Sequence, residues 1–294
     1  MSFESLMRVT QRLTASMEAL AALGAELRLR RDGASAHPQT RQLLQEIVRG
    51  IDPDLLNDIT ADQEAIALAV IRVAFHEAID LLDDPARAPG WLHEDPAVLQ
   101  TIGKRSRRVV HQINAFAAMR PGLKKAIERN GAFLDIGTGV GWLAIEAART
   151  WPMMKVVGID IWEPSLALAA SNVAASDLQD RVALRRQSVA DLEDREAFTV
   201  VFCPVPFLPL EVAEVAMANA FRALVPGGWV VFGLFPPPPD PLGEALTALK
   251  IVRCGGHPWT QSEAEERLRG CGFEEVETFA PASLSRLSFG RKPG

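Results

Sequence analysis

The chain has 294 residues, 48% of them hydrophobic and 23% charged, which is enough for one large domain or two modest ones and too apolar for a disordered chain. A net charge of −6 argues against a nucleic-acid partner held by bulk positive charge. Cys203, Cys254 and Cys271, an odd set without C-x-x-C, indicate neither a disulfide framework nor a zinc site. No apolar run reaches the roughly 18 residues of a membrane span, and the opening MSFESLMRVTQRL lacks a signal-peptide pattern. The expectation is a cytoplasmic protein with no membrane partner.

In chain order, residues 3–30 set Phe3, Leu6, Met7, Leu13, Met17, Leu20 and Leu27 at three- and four-residue steps, which predicts an amphipathic helix. A loop at 31–38 leads to a second helix that Pro38 can open and Gly50 ends. Thr60 with Gln63 fits a capping box before an apolar helix over 61–83. Two prolines mark a loop at 83–91, and helices are expected over 95–119 and 121–129.

The rhythm then changes. Short apolar runs at 131–137, 155–160, 181–187, 198–203 and 229–235 read as strands, alternating with helices at 142–150, 164–175, 209–224 and 261–270. Two further strands, 273–279 and 283–289, should close the chain as an antiparallel pair at one edge. Such alternation argues an α/β fold with a parallel sheet covered on both faces. The charge changes with the pattern: residues 1–130 hold 17 basic and 17 acidic groups, residues 131–294 hold 14 and 20. The turn-forming pair Asn130-Gly131 is therefore taken as the boundary between a helical region, 1–130, and an α/β domain, 131–294.

The most informative stretch is the first strand and its turn, Phe133-Leu134-Asp135-Ile136-Gly137-Thr138-Gly139-Val140-Gly141-Trp142. Three spaced glycines let the backbone turn sharply and approach a ligand, and the next helix aims free N–H groups at the same place. Asp160 ends the following strand, where a carboxylate can accept bonds from two ribose hydroxyls. A dinucleotide fingerprint needs a third glycine where Trp142 stands, so a nicotinamide-dependent oxidoreductase is disfavoured.

Asp135 followed by G-x-G-x-G, then a helix and a strand ending in Asp160, resembles motif I and its surroundings in class I S-adenosylmethionine-dependent methyltransferases. The resemblance covers roughly 131–294. It implies a Rossmann-like seven-stranded sheet with an antiparallel edge pair, preceded here by an all-helical N-terminal region. It also implies S-adenosylmethionine as cofactor. Gly137, Thr138, Gly139 and Gly141 match the loop under its methionine and ribose parts, and Asp160 matches the ribose-binding acid. Ile161 and Trp162 would lie near the adenine. Gln187-Ser188-Val189-Ala190-Asp191-Leu192 matches the segment that reads the adenine edge. The family often has an acid where Ser188 stands, so either Ser188 or Asp191 would hold the exocyclic amine. Pro204 belongs to Cys203-Pro204-Val205-Pro206-Phe207, at the strand end where the family places its reaction-facing motif.

Amine-directed members of the superfamily carry an Asn/Asp-Pro-Pro-aromatic motif there. The polar head is missing from Pro204-Val205-Pro206-Phe207, so methylation of nucleic-acid or protein-amide nitrogen loses support. A magnesium-dependent site would need acidic ligands at this strand end, and none is supplied, so no metal is expected. His257, in Gly255-Gly256-His257-Pro258-Trp259, is the candidate general base, against the plainer reading of a loop histidine before a proline. Arg105, in the basic run 104–108, is a candidate for the cofactor carboxylate, against the plainer reading of a solvated helix face. His111 and His76 read as structural.

The reading is methyl transfer to a small-molecule acceptor, through oxygen, of natural-product type. The helical region would serve as lid and homodimer contact. The alternative is an S-adenosylmethionine-binding protein with a non-methylating catalytic or interaction role.

Overall fold

The computed structural model describes residues 2–235, 238, 240–280 and 286–294. The run Phe235-Pro236-Pro237-Pro238-Pro239-Asp240, which its prolines predict to be a stiff extended loop, falls partly outside that set, and residues 283–285 of the last expected strand fall outside it. The chain divides into two compact units, Met1–Ala86 and Arg87–Gly294.

The first unit holds three helices, α1 (Phe3–Asp32), α2 (Pro38–Ile51) and α3 (Ala61–Asp83). Local chemistry sets their ends. Gly33, in the left-handed region at φ 61°, stops α1. Pro38 takes the first position of α2, where its missing N–H costs nothing. At α3 the expected capping box forms: Gln63 N–H donates to Thr60 Oγ1 at 3.3 Å, and Thr60 N–H donates to Gln63 Oε1 at 2.8 Å. Leu27, Leu68 and Ile71 make a small shared core. The rest of the apolar stripe of α1 is open: Phe3 is 75% exposed, and Leu6, Leu13 and Met17 are each more than half exposed.

The second unit opens with α4 (Pro96–Ala117) and α5 (Pro121–Glu128). Asp95 caps α4, its Oδ1 accepting from Ala97 N–H at 2.7 Å. The sheet strands are β1 (Gly131–Ile136), β2 (Met154–Asp160), β3 (Val182–Arg186), β4 (Phe198–Cys203), β5 (Leu224–Leu234), β6 (Glu274–Phe279) and β7 (Arg286–Arg291). The helices between them are α6 (Trp142–Thr150), α7 (Glu163–Ala174), α8 (Leu210–Ala223), α9 (Pro241–Arg253) and α10 (Gln261–Gly270). The seven strands lie in the order β3-β2-β1-β4-β5-β7-β6. The first five are mutually parallel, and β7 runs antiparallel to both neighbours, β5 and β6. Alternate residues feed opposite layers. Phe133 and Val200 join α4, α5 and α6 on one face, while Leu134 and Val201 join α8 and α10 on the other.

This packing moves the domain boundary. The change from helix to strand does occur at Asn130-Gly131, but the compact unit starts at Arg87. Val110, Ile113 and Phe116 of α4 and Leu123 of α5 are all but fully buried in the layer that covers the sheet. Phe116 stacks on Phe289 of β7 with ring centroids 4.0 Å apart. Helices 95–119 and 121–129 therefore pack with the α/β unit, because their apolar faces are buried in one of its two core layers.

Two further differences have local causes. Helix α9 is absent from the pattern reading, although Asp240 caps it by accepting from Gly243 N–H at 2.8 Å and Pro241 takes its first position. The run of prolines before it and Gly243 within it hide its periodicity. Strand β5 begins at Leu224 rather than 229 and crosses Val225-Pro226-Gly227-Gly228, which reads as a turn. The pairing of β4 with β5 shifts register there, and Gly227 sits at φ 73°.

Candidate active site

The order of strands decides where a ligand can sit. Chain direction across the sheet reverses between β1 and β4, and in such sheets ligands bind outside the carboxyl ends of the strands at that switch point. The turn after β1 and the turn after β4 meet there. A Cβ added at Gly137 would lie 3.4 Å from the Pro204 ring, so any larger residue would crowd the contact.

Gly137, Gly139 and Gly141 have φ of 64°, 56° and 81°, which ordinary L-residues avoid. The turn is tied to β2 at two points: Thr138 N–H donates to the Ile159 carbonyl at 3.0 Å, and Gly139 N–H donates to Asp160 Oδ2 at 2.8 Å. The other oxygen, Asp160 Oδ1, accepts from Trp162 N–H at 2.8 Å. A carboxylate has about four acceptor positions, so it keeps acceptor capacity for a ribose hydroxyl beyond these backbone bonds. A Cβ at Gly139 would meet nothing closer than 4.0 Å, so the hollow over the turn is open. The residues present fit a nucleoside cofactor.

Below the turn, Asp135 is buried and accepts from Thr138 Oγ1 at 2.7 Å. Burial is the main cause that pushes its pKa up to about 7; the Thr138 bond opposes this and the charge of Asp160 adds to it. Burial likewise raises Asp160, against its backbone N–H bonds. Cys203, at the end of β4, is fully buried, and burial followed by the Asp135 charge pushes its thiol up. A thiol so placed is inert.

The remaining expected residues divide. Ile161 is 66% exposed beside the turn. Trp162 is half-buried, and its indole N–H donates to the His93 carbonyl at 2.9 Å, which holds the ring. Ser188 caps a short 3-10 turn, Val189–Asp191, its Oγ accepting from Ala190 N–H at 3.1 Å. Val189 is buried and Asp191 exposed. His257 is half-buried, edge-on to Trp259 at 4.9 Å. Its neighbour Gly256 lies so close to the turn after β4 that a Cβ would fall 1.6 Å from the Pro206 carbonyl oxygen. The loop that carries His257 thus packs on the turn after β4.

Arg105 is not brought to the turn. Gly103 is the residue of α4 pressed on Val140, where a Cβ would fall 2.1 Å from Val140 Cγ2. Arg105 is two residues on, about 200° around the helix, and is exposed. From the same basic run, Lys104 and Arg107 lie over the Trp142 ring at 5.8 and 6.0 Å. Arg107 also pairs with Glu146 at 2.8 Å, and His111 lies 3.3 Å from the same carboxylate.

Several site residues gave no signal in the sequence. Trp142, which breaks the dinucleotide fingerprint, donates its indole N–H to Gln100 Oε1 of α4 at 2.6 Å. Gln100 also accepts from Asn172 Nδ2 at 3.2 Å, and that same Nδ2 donates to the Val140 carbonyl at 2.8 Å. The helix before the sheet is thereby keyed to the glycine turn. The only hint was a large indole where small residues are usual.

A glycine turn after β1, an acid at the end of β2 and the reversal of strand order between β1 and β4 define a Rossmann-like domain built for a nucleoside cofactor. Residues 133–228 match the family model described as a methyltransferase domain. Among curated relatives, the chain is 36% identical over 117 residues to a demethylmenaquinone methyltransferase of Thermus thermophilus, covering 40% of this chain and 51% of that one. It is 39% identical over 75 residues to a ribosomal protein uL3 glutamine methyltransferase of Bordetella pertussis, covering 26% and 25%. The chain thus spans between a quarter and about half of these relatives. An O-methyltransferase family protein from Burkholderia thailandensis superposes with a TM-score of 0.70 at 14% identity, over 100% of this chain and 99% of that one. Human N-acetylserotonin methyltransferase, solved with S-adenosylmethionine, gives 0.66 at 13% identity over 98% of each chain. Residues 133–228 thus resemble a methyltransferase domain, and the chain shares the fold of these solved methyltransferases, their N-terminal helices included.

Proposed function

We propose that the protein binds S-adenosylmethionine and transfers its methyl group to an oxygen of a small molecule. The observation that carries the cofactor assignment is Asp160, whose carboxylate is oriented by Gly139 and Trp162 N–H groups at the sheet reversal, with acceptor capacity to spare. The bound cofactor supplies an activated methyl group on a sulfonium. The protein's part is to hold an acceptor in line and to take its proton where it has one.

The preference for oxygen rests on the turn after β4. Val205 and Pro206 are buried and Phe207 half-buried, and none of Pro204–Phe207 has a side-chain carboxamide or carboxylate to hold an amino group. Radiolabelled methyl transfer over a panel of small hydroxyl, carboxyl and amino compounds tests this. Hydroxyl compounds are expected to be labelled; labelling of amines alone overturns the oxygen assignment.

His257 is assigned as the group that accepts the acceptor's proton, supported by the packing of its neighbour Gly256 on Pro206 of the turn after β4. His257→Gln is expected to lower kcat about 100-fold for a hydroxyl acceptor with little change in cofactor affinity. A wild-type rate in that variant removes His257 from the role.

The N-terminal unit is assigned a homodimer contact. Phe3, Leu6, Leu13, Met17 and Leu20 share one face of α1 and are largely exposed. Light scattering is expected to give twice the chain mass, and a variant with Phe3, Leu13 and Met17 changed to Ser is expected to be monomeric. A monomeric wild-type protein ends this assignment.

A further inference from the structure

The segment assigned to the adenine edge, Gln187–Leu192, has almost no regular structure of its own, only the short turn Val189–Asp191. Its shape is imposed from α8. Asn219 is 6% exposed, and its Nδ2 donates to the carbonyls of Val189 at 2.8 Å and Ala190 at 3.1 Å. One helical turn further on, Arg222 Nη2 donates to the Leu192 carbonyl. From the other side, Gln187 Nε2 donates to the Asp191 carbonyl at 3.0 Å, and Gln187 N–H donates to the Asp160 carbonyl at 3.0 Å. Four successive carbonyls are thus held by side chains, and the segment is tied to the strand end that carries Asp160.

An amide side chain buried to this degree is retained at a cost unless its bonds are made. The bonds of Asn219 go entirely to the one stretch of backbone that must present fixed groups to a purine edge. A base is discriminated by hydrogen-bond donors and acceptors held in place, since a mobile partner adapts to either pattern. We propose that Asn219, seconded by Arg222, is a positioning residue for recognition of the cofactor's adenine: it touches no cofactor atom, and it sets the backbone that reads the 6-amino edge. This rests on the assignment of S-adenosylmethionine above.

The test compares binding of S-adenosylhomocysteine and its 6-oxo analogue, S-inosylhomocysteine, by calorimetry, with kcat at saturating S-adenosylmethionine. The wild-type protein is expected to prefer the adenine form by at least about tenfold. Asn219→Ala is expected to lose most of that preference and to raise KM for the cofactor about tenfold, with kcat changed less than about twofold. Should Asn219→Ala fail to fold by circular dichroism, Arg222→Met, at a half-buried position, is measured the same way, with a smaller loss of preference expected. Weaker binding of both ligands by an equal factor, with the preference intact, overturns the positioning role. A wild-type protein that binds neither ligand overturns the cofactor assignment instead, so the two failures are distinct.

Discussion

Replacing Asp160 by Ala is expected to weaken S-adenosylhomocysteine binding by about 100-fold or more, because two hydrogen bonds to a carboxylate are lost along with the anchor of the turn. The acid does two things at once. It holds Gly139 N–H and Trp162 N–H at 2.8 Å each, and it keeps lone pairs for the ribose. The fold should survive, since Asp160 is half-buried at a strand end and the sheet cores lie beneath it. Calorimetry measures the affinity and circular dichroism the fold. Near wild-type affinity in a folded Asp160→Ala protein would mean that the ribose lies elsewhere.

Asp135→Asn is expected to gain stability relative to wild type as the pH rises and to lose cofactor affinity. In the folded protein Asp135 holds its proton up to about pH 7, whereas an unfolded aspartate releases it near 3.9. The folded state therefore binds more protons between these values. The stability this contributes is fully present below about pH 4 and is lost as the pH rises to about 7. A displacement of this size corresponds to roughly 4 kcal/mol as an upper bound. Asn keeps the shape and an acceptor for Thr138 but never ionises. The melting temperature of the variant, relative to wild type, should climb from pH 5 to pH 7 and then level. Its affinity for S-adenosylmethionine should fall, because a buried carboxylate near a cationic ligand favours that ligand. For the same reason wild-type affinity should rise with pH over this range. Parallel melting curves for the two proteins from pH 5 to pH 8 would show that Asp135 is not protonated in the folded state.

Asp135 was legible because its neighbours in sequence are its neighbours in space. Asp135 precedes Thr138 by three residues, and the glycines between and beyond it are those the turn requires. Asp160 was legible from its place at the end of an apolar run. The segment at 187–192 was found through resemblance, but the residues that shape it were not: Asn219 and Arg222 sit in an alanine-rich helix about thirty residues later. Arg105 was drawn in by the charge of its run and by its place just upstream of the glycine turn, and the packing of Gly103 on Val140 leaves it facing away from that turn.

The sequence by itself determined the helices with clean periodicity and caps, such as α3 behind Thr60, and the buried strands β1 and β4. It also determined the glycine turn, since only glycine takes three left-handed positions in five residues without strain. Each of these depends on interactions within a few residues. Only the tertiary structure decided that α4 and α5 join the sheet unit, that β7 inserts between β5 and β6, and that Trp142 is held by Gln100. Those outcomes depend on which apolar faces and polar groups meet across long stretches of chain. Hydrophobic spacing shows that a face must be buried, but its partner is chosen by the packing of the whole unit.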